Sequence, residues 1–157
     1  MKKILILVTV STLALGACQK PAAPVATVAA FTEEEAAKLF DGTVEVWQSM
    51  DAAKVKGIYA PDVVGFDVTA PDLVVDRVAW DKNQDAFVAS KLDSIKVRSK
   101  KIQMLDADNF IVNSVSDGTS TAVPANKFTF RCTDVYHRAA GGTFSIVNEH
   151  CSGVPKA

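Results

Sequence analysis

Apolar and polar residues alternate in three different ways along the 157-residue chain. From Ile4 to Leu15 they form a nearly unbroken apolar run, interrupted only by Thr9, Ser11 and Thr12. From Thr32 onward the spacing is helical. Ala36, Leu39, Phe40, Val44, Trp47 and Met50 make one stripe, and Thr32-Glu33-Glu34-Glu35 ahead of it is a capping box with acids at the positive end of the helix dipole. Asp51 caps a short second helix that ends before Tyr59, where Pro61 disfavours helical geometry at Ala60. Val63 to Val68 reads as a strand, and Arg77 to Leu92 as a third helix carrying Val78, Ala79, Phe87, Val88 and Leu92. From Ile95 the period becomes two. Residues 95–104, 109–116, 126–138 and 144–152 read as four strands separated by turn-rich stretches such as Asp106-Ala107-Asp108-Asn109. Helices first and hairpin-linked strands afterwards predict an α+β fold, with helices packed on one face of an antiparallel sheet.

The first apolar run is too short to span about 30 Å of hydrocarbon, and it follows the basic start Met1-Lys2-Lys3. Leu15-Gly16-Ala17-Cys18 looks like a lipobox, which bacterial signal peptidase II cuts before the cysteine. The expectation is a signal peptide over 1–17, a lipidated Cys18 carrying palmitate-type acyl chains, an Ala/Pro/Val tether over 18–30 stiffened by Pro21 and Pro24, and one domain over 31–157. Gln19 after the cysteine resembles lipoproteins sorted to the outer membrane, facing the periplasm of a Gram-negative cell.

Seventeen basic residues, two of them in the signal, stand against 18 acidic ones, which argues against nucleic acid as a partner. The cluster Lys96, Arg98, Lys100 and Lys101 reads as a charge-defended edge strand rather than a phosphate site. Neither a P-loop nor a dinucleotide fingerprint is present, so no cofactor is expected. Strand alternation points the two histidines, His137 and His150, to opposite faces, which gives a shared metal ion little support.

The last hairpin is distinctive. Arg131-Cys132-Thr133-Asp134-Val135-Tyr136-His137-Arg138, a Gly141-Gly142 turn, and Phe144 to Pro155 with Ile146-Val147, His150 and Ser152-Gly153 resemble the end of SnoaL-like domains. They are especially similar to the association domain of calcium/calmodulin-dependent protein kinase II. Phe144 stands where that family usually has Trp, and the turn is one residue longer. The resemblance implies the nuclear transport factor 2-like superfold, a cone of curved antiparallel sheet closed by three helices, and a homodimer through the outer sheet face.

Alternation places Arg131 roughly opposite His150 on one face, and the resemblance makes that face the concave one, where the pair would hold a small anion. Trp47 and Tyr59 are candidates to line that pocket or, with Phe128, to fill it. Asp67 lies where similar ketosteroid isomerases carry a general base, but the position of their oxyanion-donating tyrosine falls at Thr43, a poorer donor. Cys132 and Cys151 are the remaining cysteines in an oxidising compartment, so a disulfide is expected if a bulge or the long turn removes a diagonal offset of about 7–8 Å. The function expected is a non-enzymatic, membrane-tethered domain that binds a small molecule or a protein. The alternatives are an isomerase or cyclase using Asp67 and a purely structural oligomer.

Overall fold

A computed structural model describes residues 31–68, 70–120 and 126–155. The expected signal peptide, Cys18 and the tether lie outside these residues. Helices α1 (Glu33–Gln48) and α2 (Ala52–Gly57) are followed by strand β1 (Tyr59–Phe66) and helix α3 (Arg77–Ala89). Strands β2 (Leu92–Met104), β3 (Asn109–Ser120), β4 (Asn126–Arg138) and β5 (Phe144–Val154) complete the chain. The sheet order is β1-β5-β4-β3-β2, with successive hairpins from β2 to β5. β1 runs parallel to β5, so the sheet is mixed and not wholly antiparallel. A parallel neighbour needs a crossover, and the chain from β1 to β5 contains α3 and the whole meander.

Local chemistry starts each helix. The Thr32 hydroxyl accepts from the Glu35 N–H at 3.2 Å, while the Glu35 carboxylate accepts from the Thr32 N–H at 2.7 Å. Asp51 and Asp76 accept from the first-turn N–H groups of α2 and α3. α3 stops at Ala89, and Lys91 adopts a positive φ that turns the chain into β2, so Leu92 belongs to the sheet and not to the helix. β1 begins at Tyr59, four residues before the predicted strand. Tyr59 and Ala60 are buried, and Pro61 is tolerated because β1 lies on the sheet edge, where a missing N–H breaks no ladder.

Arg77 fastens this entry. Its guanidinium donates to the carbonyls of Tyr59 and Ala60 at 2.9 Å and of Lys56 at 2.8 Å, and it pairs with Asp81 at 2.7 Å. Removing it takes a charged donor from three carbonyl groups at the junction of α2, β1 and α3, of which the Lys56 carbonyl keeps the Ile58 N–H. Arg77→Met is expected to cost about 2 kcal/mol in a urea unfolding experiment.

The helices pack on one face of the sheet. Phe40, Val55, Val63, Trp80, Phe110, Val112, Tyr136 and Ile146 are almost wholly enclosed, and the Phe110 and Tyr136 rings stack at 4.5 Å. β2 is the other edge strand. Three of its four cations have acidic partners: Lys100 pairs with Asp41, Lys101 with Glu33 at 3.5 Å, and Arg98 lies 3.7 Å from Asp117. Among the described residues no helix is long and apolar enough to cross a membrane.

Candidate functional site

The inner face of β4 carries Cys132, Asp134 and Tyr136, all buried. Tyr136 pairs with Ile146 of β5, but its neighbour Val135 pairs with Asn148, so Val147 is an extra residue forming a β-bulge. Alternation restarts beyond it. Ile146 faces the core, and after the bulge Glu149 and Cys151 face the cone while His150 and Ser152 face outward.

This bulge corrects three expectations. Arg131 and His150 do share a face, but it is the outer one. Arg131 sits opposite Ser152 and donates to its hydroxyl at 3.1 Å, and both Arg131 and His150 are exposed. The anion pocket expected inside the cone therefore has no basic residue to form it. His137 and His150 also face the same outer side, rather than opposite sides. They remain far apart, His150 beside Thr133 and the Phe66 ring, His137 against Asn109 at 2.8 Å. Finally, the bulge removes the diagonal offset of the cysteines. Cys132 and Cys151 are direct cross-strand partners with alpha carbons 4.2 Å apart, joined by a disulfide.

Trp47, Tyr59 and Asp67 come together as candidates for one pocket, with Gln84, Phe87, Phe130, the disulfide and Glu149 around them. The cavity is small, about 40 Å³. Phe128 lies elsewhere, near β2 and the end of β5. The Trp47 indole N–H donates to the Tyr59 hydroxyl at 3.2 Å, which in turn donates to Glu149 at 3.0 Å. Gln84 donates its amide to Asp67 at 2.7 Å. Thr43 is buried beside the cone, but its hydroxyl donates to the Leu39 carbonyl of its own helix at 3.1 Å. That proton is already engaged, so Thr43 cannot serve as the oxyanion donor an isomerase needs.

Two acids that sequence reasoning passed over dominate the electrostatics. Asp134 and Glu149 are cross-strand partners, 0% and 4% exposed. Neither Asp134 oxygen has a hydrogen bond of ordinary geometry. Burial raises the Asp134 carboxyl to about 7, with the neighbouring Glu149 holding it from going higher. Glu149 is pushed well above the ordinary range by burial first, then by the charges of Asp134 and Asp67. Tyr59 and Tyr136 are raised as well, again chiefly by burial. The signal in the sequence was the row Cys132, Asp134, Tyr136, which places a carboxylate at period two between residues suited to a core.

Glu149 is held there by a close strand approach. A Cβ on its β1 partner Gly65 would sit 1.9 Å from the Glu149 carbonyl oxygen, so only glycine lets the parallel pair close.

No family model and no curated protein matches this chain. Solved structures do. A candidate calcium/calmodulin-dependent protein kinase II association domain from Xanthomonas campestris is 23% identical, with a TM-score of 0.72 over 81% of this chain and 91% of that one. A candidate dehydratase of the nuclear transport factor 2-like family from Streptomyces avermitilis is 15% identical, TM-score 0.66, over 78% and 96%. A candidate ketosteroid isomerase from Shewanella frigidimarina is 18% identical, TM-score 0.63, over 74% and 94%. The chain has the nuclear transport factor 2-like fold, a curved sheet closed by helices into a cone.

Proposed function

We propose that this protein is a lipid-anchored domain of the cell envelope whose cone holds a small organic cation, such as a primary or methylated amine. The observation that carries the ligand class is a cavity lined by the carboxyls of Asp67 and Glu149, with the buried Asp134 directly across the ladder from Glu149, and with no lysine, arginine or histidine in the lining. Aromatic rings of Trp47, Tyr59, Phe87 and Phe130 complete the lining, and a cation against such faces gains about 0.5–2 kcal/mol beyond its ion pairing. A cavity of about 40 Å³ suits a group of a few heavy atoms and excludes a steroid-sized substrate without opening of the cone. With Thr43 engaged by its helix, the binding reading is favoured over catalysis by Asp67.

Anchoring is supported by the basic start, the short apolar run and Leu15-Gly16-Ala17-Cys18. Homodimerisation is supported by the likeness to an association domain, with the outer sheet face bearing Arg131 and His150 as the contact.

Titration with methylamine and tetramethylammonium, read by Trp47 fluorescence, tests the ligand class. Saturable binding should tighten as pH rises through about 7, because the cation displaces a proton from the carboxyl pair. Asp134→Asn should weaken it at least about tenfold, the loss of one buried charge partner, while Arg131→Ala leaves it unchanged. Binding that survives both Asp134→Asn and Glu149→Gln would refute the reading.

A further inference from the structure

Two alternate rungs of the β4–β5 ladder carry four side chains of metal-binding type on the same face. Cys132 is opposite Cys151, and two residues along, Asp134 is opposite Glu149. We propose that, once the Cys132–Cys151 disulfide is reduced, this square binds one thiophilic divalent cation of the zinc type. The ligands are the sulfurs of Cys132 and Cys151 and carboxyl oxygens of Asp134 and Glu149. The proposal rests on the cationic reading of the cone and extends it to a second oxidation state, sharing Asp134 and Glu149 with the amine and adding the two sulfurs as ligands.

For three of the four ligands the geometry is close to what such an ion requires, and Glu149, directly across the ladder from Asp134, completes the set by side-chain rotation. Donor atoms of Cys132, Cys151 and Asp134 already lie within 4.8 Å of one another. Tetrahedral zinc, with bonds of about 2.3 Å to sulfur and about 2.0–2.2 Å to oxygen, sets its ligand atoms about 3.3–3.8 Å apart. Breaking the S–S bond lets the two sulfurs separate to that distance by side-chain rotation, with the strands fixed by their ladder. Thiolates and carboxylates together select a borderline ion over magnesium or calcium, which prefer oxygen alone.

A second observation also points to a cation. Asp134 is fully enclosed, and neither of its oxygens has a hydrogen bond of ordinary geometry. Among the described residues no basic side chain pairs with it or with Glu149, a situation in which a buried carboxylate calls for a proton or a metal. Glu149 is oriented by the Tyr59 hydroxyl at 3.0 Å, the sort of outer contact that fixes a metal-binding carboxylate.

The chemistry balances in two steps. A dithiol reductant gives two electrons and two protons to the disulfide, which becomes two thiols, while the reductant closes to its own disulfide. The divalent ion then displaces the two thiol protons, and any proton on the carboxyl pair, into solvent. Its oxidation state does not change. The cone wall would thus hold either a covalent staple or an ion.

Cadmium is the probe, with the full-length chain in detergent, Cys18→Ser removing any third thiol. After anaerobic reduction, titration should produce a thiolate-to-cadmium charge-transfer band saturating at one ion per chain, reversed by excess zinc. The disulfide form should give none. Asp134→Asn should weaken binding about tenfold or more, and Cys132→Ser should abolish the band. Circular dichroism follows the fold throughout. A missing band would overturn the proposal, as would a band unaltered by both Asp134→Asn and Glu149→Gln, or reduction that unfolds the chain beyond recovery by cadmium. Methylamine binding by the disulfide form is measured on the same samples. Its persistence with no cadmium site would sink this inference alone, and its absence beside an intact cadmium site would sink only the amine reading.

Discussion

Between about pH 4 and pH 7 the protein is expected to lose stability as the pH rises, the reverse of ordinary acid denaturation. The cause is Asp134, whose carboxyl is raised from 3.8 to about 7 by burial. A group with a higher pKa in the folded state keeps its full contribution below the unfolded value and loses it as the pH climbs through the folded one. The difference corresponds to about 4 kcal/mol, of which the pair with Glu149, raised for the same reason, takes a share. Groups facing the pair are Asp67 after β1, Tyr59 at its start, Tyr136 two residues along β4, and Cys132 and Cys151 beside it, none of them basic. Glu35 and Asp106 are lowered by hydrogen bonds, so their contributions change only at the acid edge of the window, below about pH 4.5. Urea midpoints measured across this range should fall, and Asp134→Asn should flatten the slope and be more stable than the wild type at about pH 8. A rising wild-type midpoint, or the same slope in the variant, would show that these carboxyls are not buried as described.

The second large effect concerns the staple between β4 and β5. Replacing both Cys132 and Cys151 by alanine should cost about 3 kcal/mol, the chain-entropy value for a disulfide closing a loop of this length, 19 residues of separation. For a domain of this size that is a fall of about 10 °C in Tm. The disulfide sits beside the cone wall, so its loss should also loosen Glu149 and weaken amine binding. An unchanged Tm under strong dithiol would mean the ladder alone holds the strands. Typical domains have about 5–15 kcal/mol in hand, so a fold surviving reduction is consistent with this loss.

What the sequence showed and what it hid divide along physical lines. Thr32 with Glu35, and Asp51 ahead of α2, are bonds within three residues, so the helix starts could be read directly. Period-two patterning gave the meander, and the terminal hairpin gave the superfold. Faces were another matter. One extra residue at Val147 reverses every later side chain of β5, and nothing in Ile146-Val147-Asn148 distinguishes a bulge from a regular strand. Hence His150 was expected inside the cone and lies outside it, whereas Glu149 was overlooked and sits within; Arg131, on β4 and unaffected by the bulge, was placed inside only through its expected pairing with His150 and the resemblance. Asp134 was hidden by a general truth: a carboxylate between Thr133 and Val135 ordinarily faces water. Trp47 and Asp67 were easier, because helix periodicity and the likeness to ketosteroid isomerases placed them without crossing the bulge.

The most direct test follows the side-chain carboxyl carbons of Asp134 and Glu149 by NMR from about pH 4 to pH 9 in the disulfide form. The pair should keep at least one proton to near neutrality, with an inflection near 7 that belongs to both groups, and methylamine should shift that inflection downward. Two carboxyls fully ionised by about pH 5, indifferent to the amine, would contradict an enclosed, uncompensated acid pair and with it the cationic ligand.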